Sequence, residues 1–328
     1  MLTLPAFEWI APATLDEALA LLAAHGERAL IVAGGTDAVP NMKHRLHEPE
    51  VVIHLGRVAE LDYVREADDG LHLGARVTLA EIESHPAIRA GYPLLSRAAG
   101  MVAGPQLRNM GTIGGNLCLD TRCTYYNQTQ LWREALGFCL KKDGVHCHVV
   151  PQGKRCVAAH SSDVAPALIA LDAEVEIAGR GGTRTIRVDE FFVADGKHNT
   201  VLEPGDLVTR IRVPATARGM RSGYRKLRPR GAIDFPMLSV AFAASADDPL
   251  DRARLVVSAL AARPRVISGV EKIVAGQPLG EDVAAALAEA AQRQCRPQTS
   301  IPYDTDYRHA MVPVFVRRAV MDAAGGDA

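Results

Sequence analysis

An α+β chain in two parts is what this sequence predicts, and three patterns carry the prediction. Short apolar runs alternate with helix-start signals over most of the first two hundred residues. A polar, cysteine-rich stretch interrupts that alternation at 119–158. After a small, basic linker at 215–222, strands are followed by helices. Strands and helices that come in blocks indicate a separate α+β unit. The expected boundaries are 1–216 for the first domain, with 119–158 inserted in it, and 217–328 for the second. A chain of 328 residues has room for two such domains.

The elements follow in order. Thr14-Leu15-Asp16-Glu17 fits a capping box, in which a threonine and a glutamate three residues later satisfy backbone N–H groups at a helix start; Ala18, Leu19, Leu21 and Leu22 supply its apolar face. Ala29–Val32 reads as a short buried strand ending at Gly34-Gly35, and Val51–Leu55 as another. Leu71–Ala75 alternates and runs into Thr78-Leu79-Ala80-Glu81, a second capping box. A helix is expected over 93–103 and another from Val164, since Pro166 is tolerated in a first turn. Strands are expected at 174–177, 207–213, 237–243 and 253–260. Helices are expected at 281–294 and 304–322, with Pro313 kinking the last one or displacing its start.

Composition narrows the class. Apolar residues make up 48% and charged residues 23%, enough to bury a core. The formal net charge is −1 and no run of lysine or arginine stands out, so nucleic-acid binding is not expected. No apolar run approaches the ~20 residues of a membrane span, and the first residues lack the pattern of a secretory signal. The expectation is a cytoplasmic protein with no membrane association.

Two glycine-rich turns carry the first chemical signal. Ile31-Val32-Ala33-Gly34-Gly35-Thr36-Asp37 places two glycines directly after a strand. Glycine lets the backbone turn sharply and lets an anion approach its N–H groups. Gly111-Thr112-Ile113-Gly114-Gly115-Asn116 repeats the chemistry about 80 residues later, so the pair could clamp a pyrophosphate from two sides. Neither is a dinucleotide fingerprint or a P-loop. Taken singly, each is an ordinary turn.

The pair of turns resembles the flavin-binding domain shared by xanthine dehydrogenase, the medium subunits of carbon-monoxide dehydrogenases and their relatives. Three further segments fit: Ser162-Asp163-Val164-Ala165-Pro166-Ala167-Leu168, Tyr224-Arg225-Lys226, and Asp306-Tyr307-Arg308-His309-Ala310-Met311. The likeness spans essentially the whole chain. It implies a two-subdomain FAD-binding domain of the molybdenum hydroxylase medium-subunit type, followed by a C-terminal domain with a small antiparallel sheet and helices. By matching position it implies that Ile31, Val32, Ala33, Gly34, Gly35, Thr36 and Asp37, with Gly111, Thr112, Gly114, Gly115 and Asn116, hold the pyrophosphate and ribityl region of FAD. It also implies Val102 near the flavin ring, where some relatives carry an aromatic, and Asp163 and Lys226 as polar contacts. On the residues alone, Asp163 reads as a helix cap and Lys226 as a surface charge.

Five of the six cysteines lie at 118–156. Thiolates are soft ligands suited to iron–sulfur clusters or zinc. The spacing Cys123-x15-Cys139-x7-Cys147-x8-Cys156 contains no Cys-x2-Cys pair, which argues against a zinc ribbon and a ferredoxin run. A zinc site using His146, His148 or His160, and a loop with no metal, remain alternatives on the residues alone. The stretch resembles the insertion in the flavin subunits of 4-hydroxybenzoyl-CoA reductases. That resemblance implies one 4Fe–4S cluster on Cys123, Cys139, Cys147 and Cys156. Cys118, beside the second glycine turn, and Cys295 read as small buried residues.

The resemblance also implies partners. A large subunit would carry the molybdenum cofactor and a small one two 2Fe–2S clusters, with ferredoxin as electron donor, assembled as a dimer of heterotrimers. No catalytic residue is expected in this chain, since the substrate chemistry would take place in the large subunit. The leading expectation is reductive dehydroxylation of 4-hydroxybenzoyl-CoA. The alternatives are the FAD subunit of a hydroxylase acting on a purine, N-heterocycle or aldehyde, and a stand-alone flavin-binding redox or maturation module.

Overall fold

The computed structural model describes residues 2–325, and three sheets organise them. The first is parallel: β1 (Glu8–Ile10), β2 (Ala29–Val32) and β3 (Val51–His54) lie in the order β1-β3-β2. Parallel strands need crossover connections: the helix Leu15–His25 lies between β1 and β2 in the chain, and β3 then pairs with both. Thr14 accepts from the Glu17 N–H, and the Glu17 carboxylate accepts from the Ala13 N–H, so the predicted box forms. β2 ends in the first glycine turn, and the helix Ala38–Lys43 follows it.

The second sheet is antiparallel: β4 (Val64–Ala67), β5 (Gly70–Gly74), β6 (Glu174–Gly179), β7 (Gly182–Arg187) and β8 (Leu207–Pro214), in the order β4-β5-β8-β6-β7. Its strands come from both sides of the 119–158 stretch, so that stretch leaves and re-enters one folding unit. The helices Leu79–Ser84, Pro93–Gly100 and Val164–Ala170 belong to the same core.

The third sheet holds β9 (Arg221–Leu227), β10 (Leu238–Ala244), β11 (Ala253–Ser258) and β12 (Arg265–Val266), in the order β12-β11-β10-β9. Alternate residues of β10 face opposite cores, as the two-residue period of a strand requires. Leu238, Val240, Phe242 and Ala244 pack with the helices Glu281–Gln294 and Thr305–Ala323, whereas Ala241 and Ala243 join the core of the second sheet. A strand buried on both faces reads as a continuous apolar run. The last helix runs unbroken through Pro313, with its start at Thr305 and Asp304 as N-cap. No described helix is long and apolar enough to cross a membrane.

Candidate flavin cleft and cysteine pocket

The two glycine turns meet. A Cβ on Gly34 would fall 1.7 Å from the Met110 carbonyl oxygen, so only glycine lets the first turn lie against the chain entering the second. Thr112 caps the short helix Ile113–Leu117, its hydroxyl accepting from the Gly115 N–H at 3.1 Å. Between the turns lies a cleft of about 450 Å³, within the size range of cofactor pockets. Of the proposed flavin contacts, Ile31 to Asp37, Val102, Gly111, Thr112, Gly114, Gly115 and Asn116 all line it.

Asp163 and Lys226 are not among the lining residues. They form a buried ion pair at 2.8 Å that joins the second sheet's helix Val164–Ala170 to β9. Lys226 Nζ also donates to the carbonyls of Met101 and Asp234, at 3.0 and 2.8 Å, and the Tyr224 hydroxyl donates to Asp163. Burial raises the Asp163 carboxyl pKa, and the Lys226 charge opposes that shift. Neither simple reading survives: Asp163 makes no cap hydrogen bond, and Lys226 is not a surface charge. Ser162 does the capping, accepting from the Ala165 N–H at 3.1 Å while donating to Asn116 Oδ1 at 2.7 Å. The Asn116 side-chain oxygen thus faces the protein.

Several cleft residues carry no motif and were missed: His47, Arg76, Asp120, Asn199, Asp206 and Phe235. Phe235 arrives from the loop between β9 and β10, about half exposed, and the Arg122 guanidinium lies 4.2 Å from its ring centre. Arg122 also donates to Asp37, whose other oxygen accepts from Asn41 at 2.8 Å. The inserted stretch therefore braces the first glycine turn. Burial lowers the Arg122 pKa to about 10. Cys118 departs from the expected buried role: it is exposed on the cleft wall, whereas Cys295 is buried as expected.

The insertion folds around its cysteines. The helix Gln130–Leu136, capped by Thr129, is its one helix. From that helix the buried Arg133 donates to the carbonyls of His44 and Arg45, satisfying the end of the helix Ala38–Lys43. Arg122 and Ala159 exchange backbone hydrogen bonds at the base of the insertion. Cys123, Cys139, Cys147 and Cys156 are all buried, and all four line one second, far smaller cavity. Tyr125, Tyr126, Lys141 and His148 share that lining. The N–H groups of Val150 and Ala158 lie 3.4 Å from the sulfurs of Cys147 and Cys156. Burial pushes the Cys123 thiol up to about 12 and the Cys156 thiol up to about 11.

Among the described residues, no three or more histidine, cysteine, aspartate or glutamate side chains are gathered so as to hold a metal ion. A tetrahedral zinc site needs its sulfurs roughly 3.8 Å apart, given a Zn–S bond of about 2.3 Å. Of the proposed zinc histidines, His146 is exposed, His148 bonds to the Phe138 carbonyl at 2.6 Å, and His160 lies apart against Ser258.

The described geometry has counterparts. Residues 5–216 match the family described as the FAD-binding domain in molybdopterin dehydrogenase, and 222–323 match the CO dehydrogenase flavoprotein C-terminal domain. The carbon monoxide dehydrogenase medium chain of Hydrogenophaga pseudoflava is 30% identical over 96% of this chain and 96% of its own. The aldehyde oxidoreductase FAD-binding subunit PaoB of Escherichia coli is 36% identical over 65% of this chain and 70% of its own. A solved structure of the Hydrogenophaga pseudoflava carbon monoxide dehydrogenase superposes with a TM-score of 0.81 at 29% identity, covering 98% of this chain and 99% of that one. This chain belongs to the FAD-binding medium-subunit family of the molybdenum hydroxylases.

Proposed function

We propose that this chain is the electron-transfer subunit of a molybdenum-dependent 4-hydroxybenzoyl-CoA reductase and carries a 4Fe–4S cluster besides FAD. The observation that carries this reading is the convergence of Cys123, Cys139, Cys147 and Cys156 on one buried cavity in an insertion that braces the flavin cleft. Four thiols are the donor set of a cubane cluster. Each binds a different iron, so they need not crowd around one point as zinc ligands must. Backbone N–H groups at the sulfurs of Cys147 and Cys156 fit a site that accumulates negative charge.

The cleft residues fit FAD. The close contact of Gly34 with Met110 removes any side chain from the clamp, and apolar residues such as Ile31, Val102 and Leu107 offer walls that exclude water. Bound FAD supplies both one- and two-electron transfer. Phe235 of the second domain lines the cleft, and Arg122 of the insertion packs over its ring and holds Asp37. Thr112 fixes the second turn by capping the short helix that follows it.

In this proposal a molybdenum-cofactor large subunit removes the phenolic hydroxyl. A small subunit with two 2Fe–2S clusters links it to this chain, ferredoxin is the donor, and the complex is a cytoplasmic dimer of heterotrimers. A second reading, the FAD subunit of a hydroxylase for a purine, N-heterocycle or aldehyde, draws support from relatives named for nicotine, nicotinate and aldehyde. The purified complex separates the two. Iron, molybdenum and flavin are assayed, and the reduced complex is offered 4-hydroxybenzoyl-CoA. Reoxidation with release of benzoyl-CoA is expected. No reoxidation, with turnover of an N-heterocycle or aldehyde instead, selects the second reading. Iron that matches only the small-subunit clusters removes the cluster from this chain.

A further inference from the structure

We propose that Lys141 is a positioning residue that holds a fixed positive charge on the wall between the two cavities and so raises the potential of the cluster. The inference rests on the cluster reading above. Lys141 is the one lysine or arginine among the residues lining the cysteine cavity. Its side chain is 5% exposed, and so deep a lysine is rarely kept without a task or a partner. Nζ donates to Asp120 Oδ1 at 2.6 Å, to Thr121 Oγ1 at 2.5 Å and to the Thr121 carbonyl at 3.1 Å. It also stands 4.3 Å from the centre of the Tyr126 ring.

These contacts leave the ammonium one place to be. Asp120, its carboxylate partner, lines the flavin cleft, whereas Lys141 and Tyr126 line the cysteine cavity. The pair is therefore a dipole across the shared wall, positive toward the sulfurs and negative toward the flavin. Thr121 anchors the centre of this wall, its hydroxyl donating to the Gly196 carbonyl at 2.6 Å. Each electron a cluster accepts adds one negative charge, and a nearby fixed cation in a medium of low dielectric favours that form. Hydrogen bonds and charge around the sulfurs are the protein's means of setting such potentials.

The test is an anaerobic redox titration of the whole complex, following the 4Fe–4S signal by electron paramagnetic resonance, with iron per complex measured in parallel. Lys141→Met is expected to move the cluster midpoint to a more negative value, and Lys141→Arg to restore most of the shift. Asp120→Asn removes the partner's negative charge and is expected to move the midpoint the other way. Opposite signs in the two variants are the signature of electrostatic positioning, which a merely structural role would not produce. An unchanged midpoint in Lys141→Met with full iron overturns the proposal. If Lys141→Met loses its iron, Asp120→Asn decides: a fall or no change in midpoint overturns the proposal. Wild-type complex lacking the four additional irons overturns the cluster reading itself, a different outcome from a cluster indifferent to Lys141.

Discussion

Acidification should weaken this fold through His160, and the size of the effect can be worked out. His160 is fully buried, its ring edge-on to Phe192 at 4.6 Å. Nδ1 lies 3.0 Å from Ser258 Oγ on β11, and Nε2 has no partner. A proton on this ring would bring an uncompensated charge into the junction of the second and third sheets. Burial accordingly lowers its pKa from 6.5 to about 3. A base whose folded pKa is depressed contributes stability that is complete above its unfolded pKa. That contribution drains away as pH falls from about 6.5 toward 3, because the unfolded chain takes up the proton first. At about pH 5 the unfolded imidazole is protonated by 1.5 logarithmic units, which at 1.36 kcal/mol each gives a loss of about 2 kcal/mol. The assay is urea unfolding at about pH 7.5 and about pH 5, for wild type and for His160→Asn, which keeps a polar group toward Ser258 and cannot titrate in this range. The wild type should lose about 2 kcal/mol more than the variant between the two conditions. Equal losses would refute the reasoning and mean that the ring protonates in the folded state.

Three further outcomes are expected. Gly34→Ala places a methyl group on the Met110 carbonyl and forces the two turns apart, so the purified variant should carry well under half the wild-type flavin by its absorbance near 450 nm, roughly the loss a displaced clamp implies. Lys226→Met strands a buried carboxyl at Asp163 and should cost about 3–5 kcal/mol in denaturant unfolding, whereas the double variant with Asp163→Asn should recover much of that loss. A Cβ on Gly196 would lie 2.9 Å from the Cys156 sulfur, so Gly196→Val should lower iron per chain while leaving flavin in place; retention of full iron would count against Cys156 as a ligand.

Much of the scaffold was legible because its signals are local. The threonines at 14 and 78 each meet a glutamate three residues on, and both helices start where that spacing puts them. The run at 238–244 is apolar but for the buried Ser239, because two cores press on it from opposite sides. The last helix forms over the expected span with Pro313 in its interior: proline sets a cost, and packing of Val312, Phe315, Val316 and Ala319 into the third sheet's core offsets it. The glycine turns were legible as a pair, since the requirement that empties position 34 of a side chain is written in the residue itself.

What the sequence determined by itself, then, was the order of the elements, the two glycine turns and the cysteine-rich interruption, because each depends on residues close together in the chain. Tertiary structure alone decided that Asp163 and Lys226 pair with each other, that Arg122 reaches from the insertion to Asp37, and that Phe235 crosses from the second domain to the cleft. These pairings join residues 63, 85 and 113 positions apart: 226 − 163, 122 − 37 and 235 − 122. A buried charge must find a partner wherever the folded chain brings one, and no pattern along the sequence records where that will be.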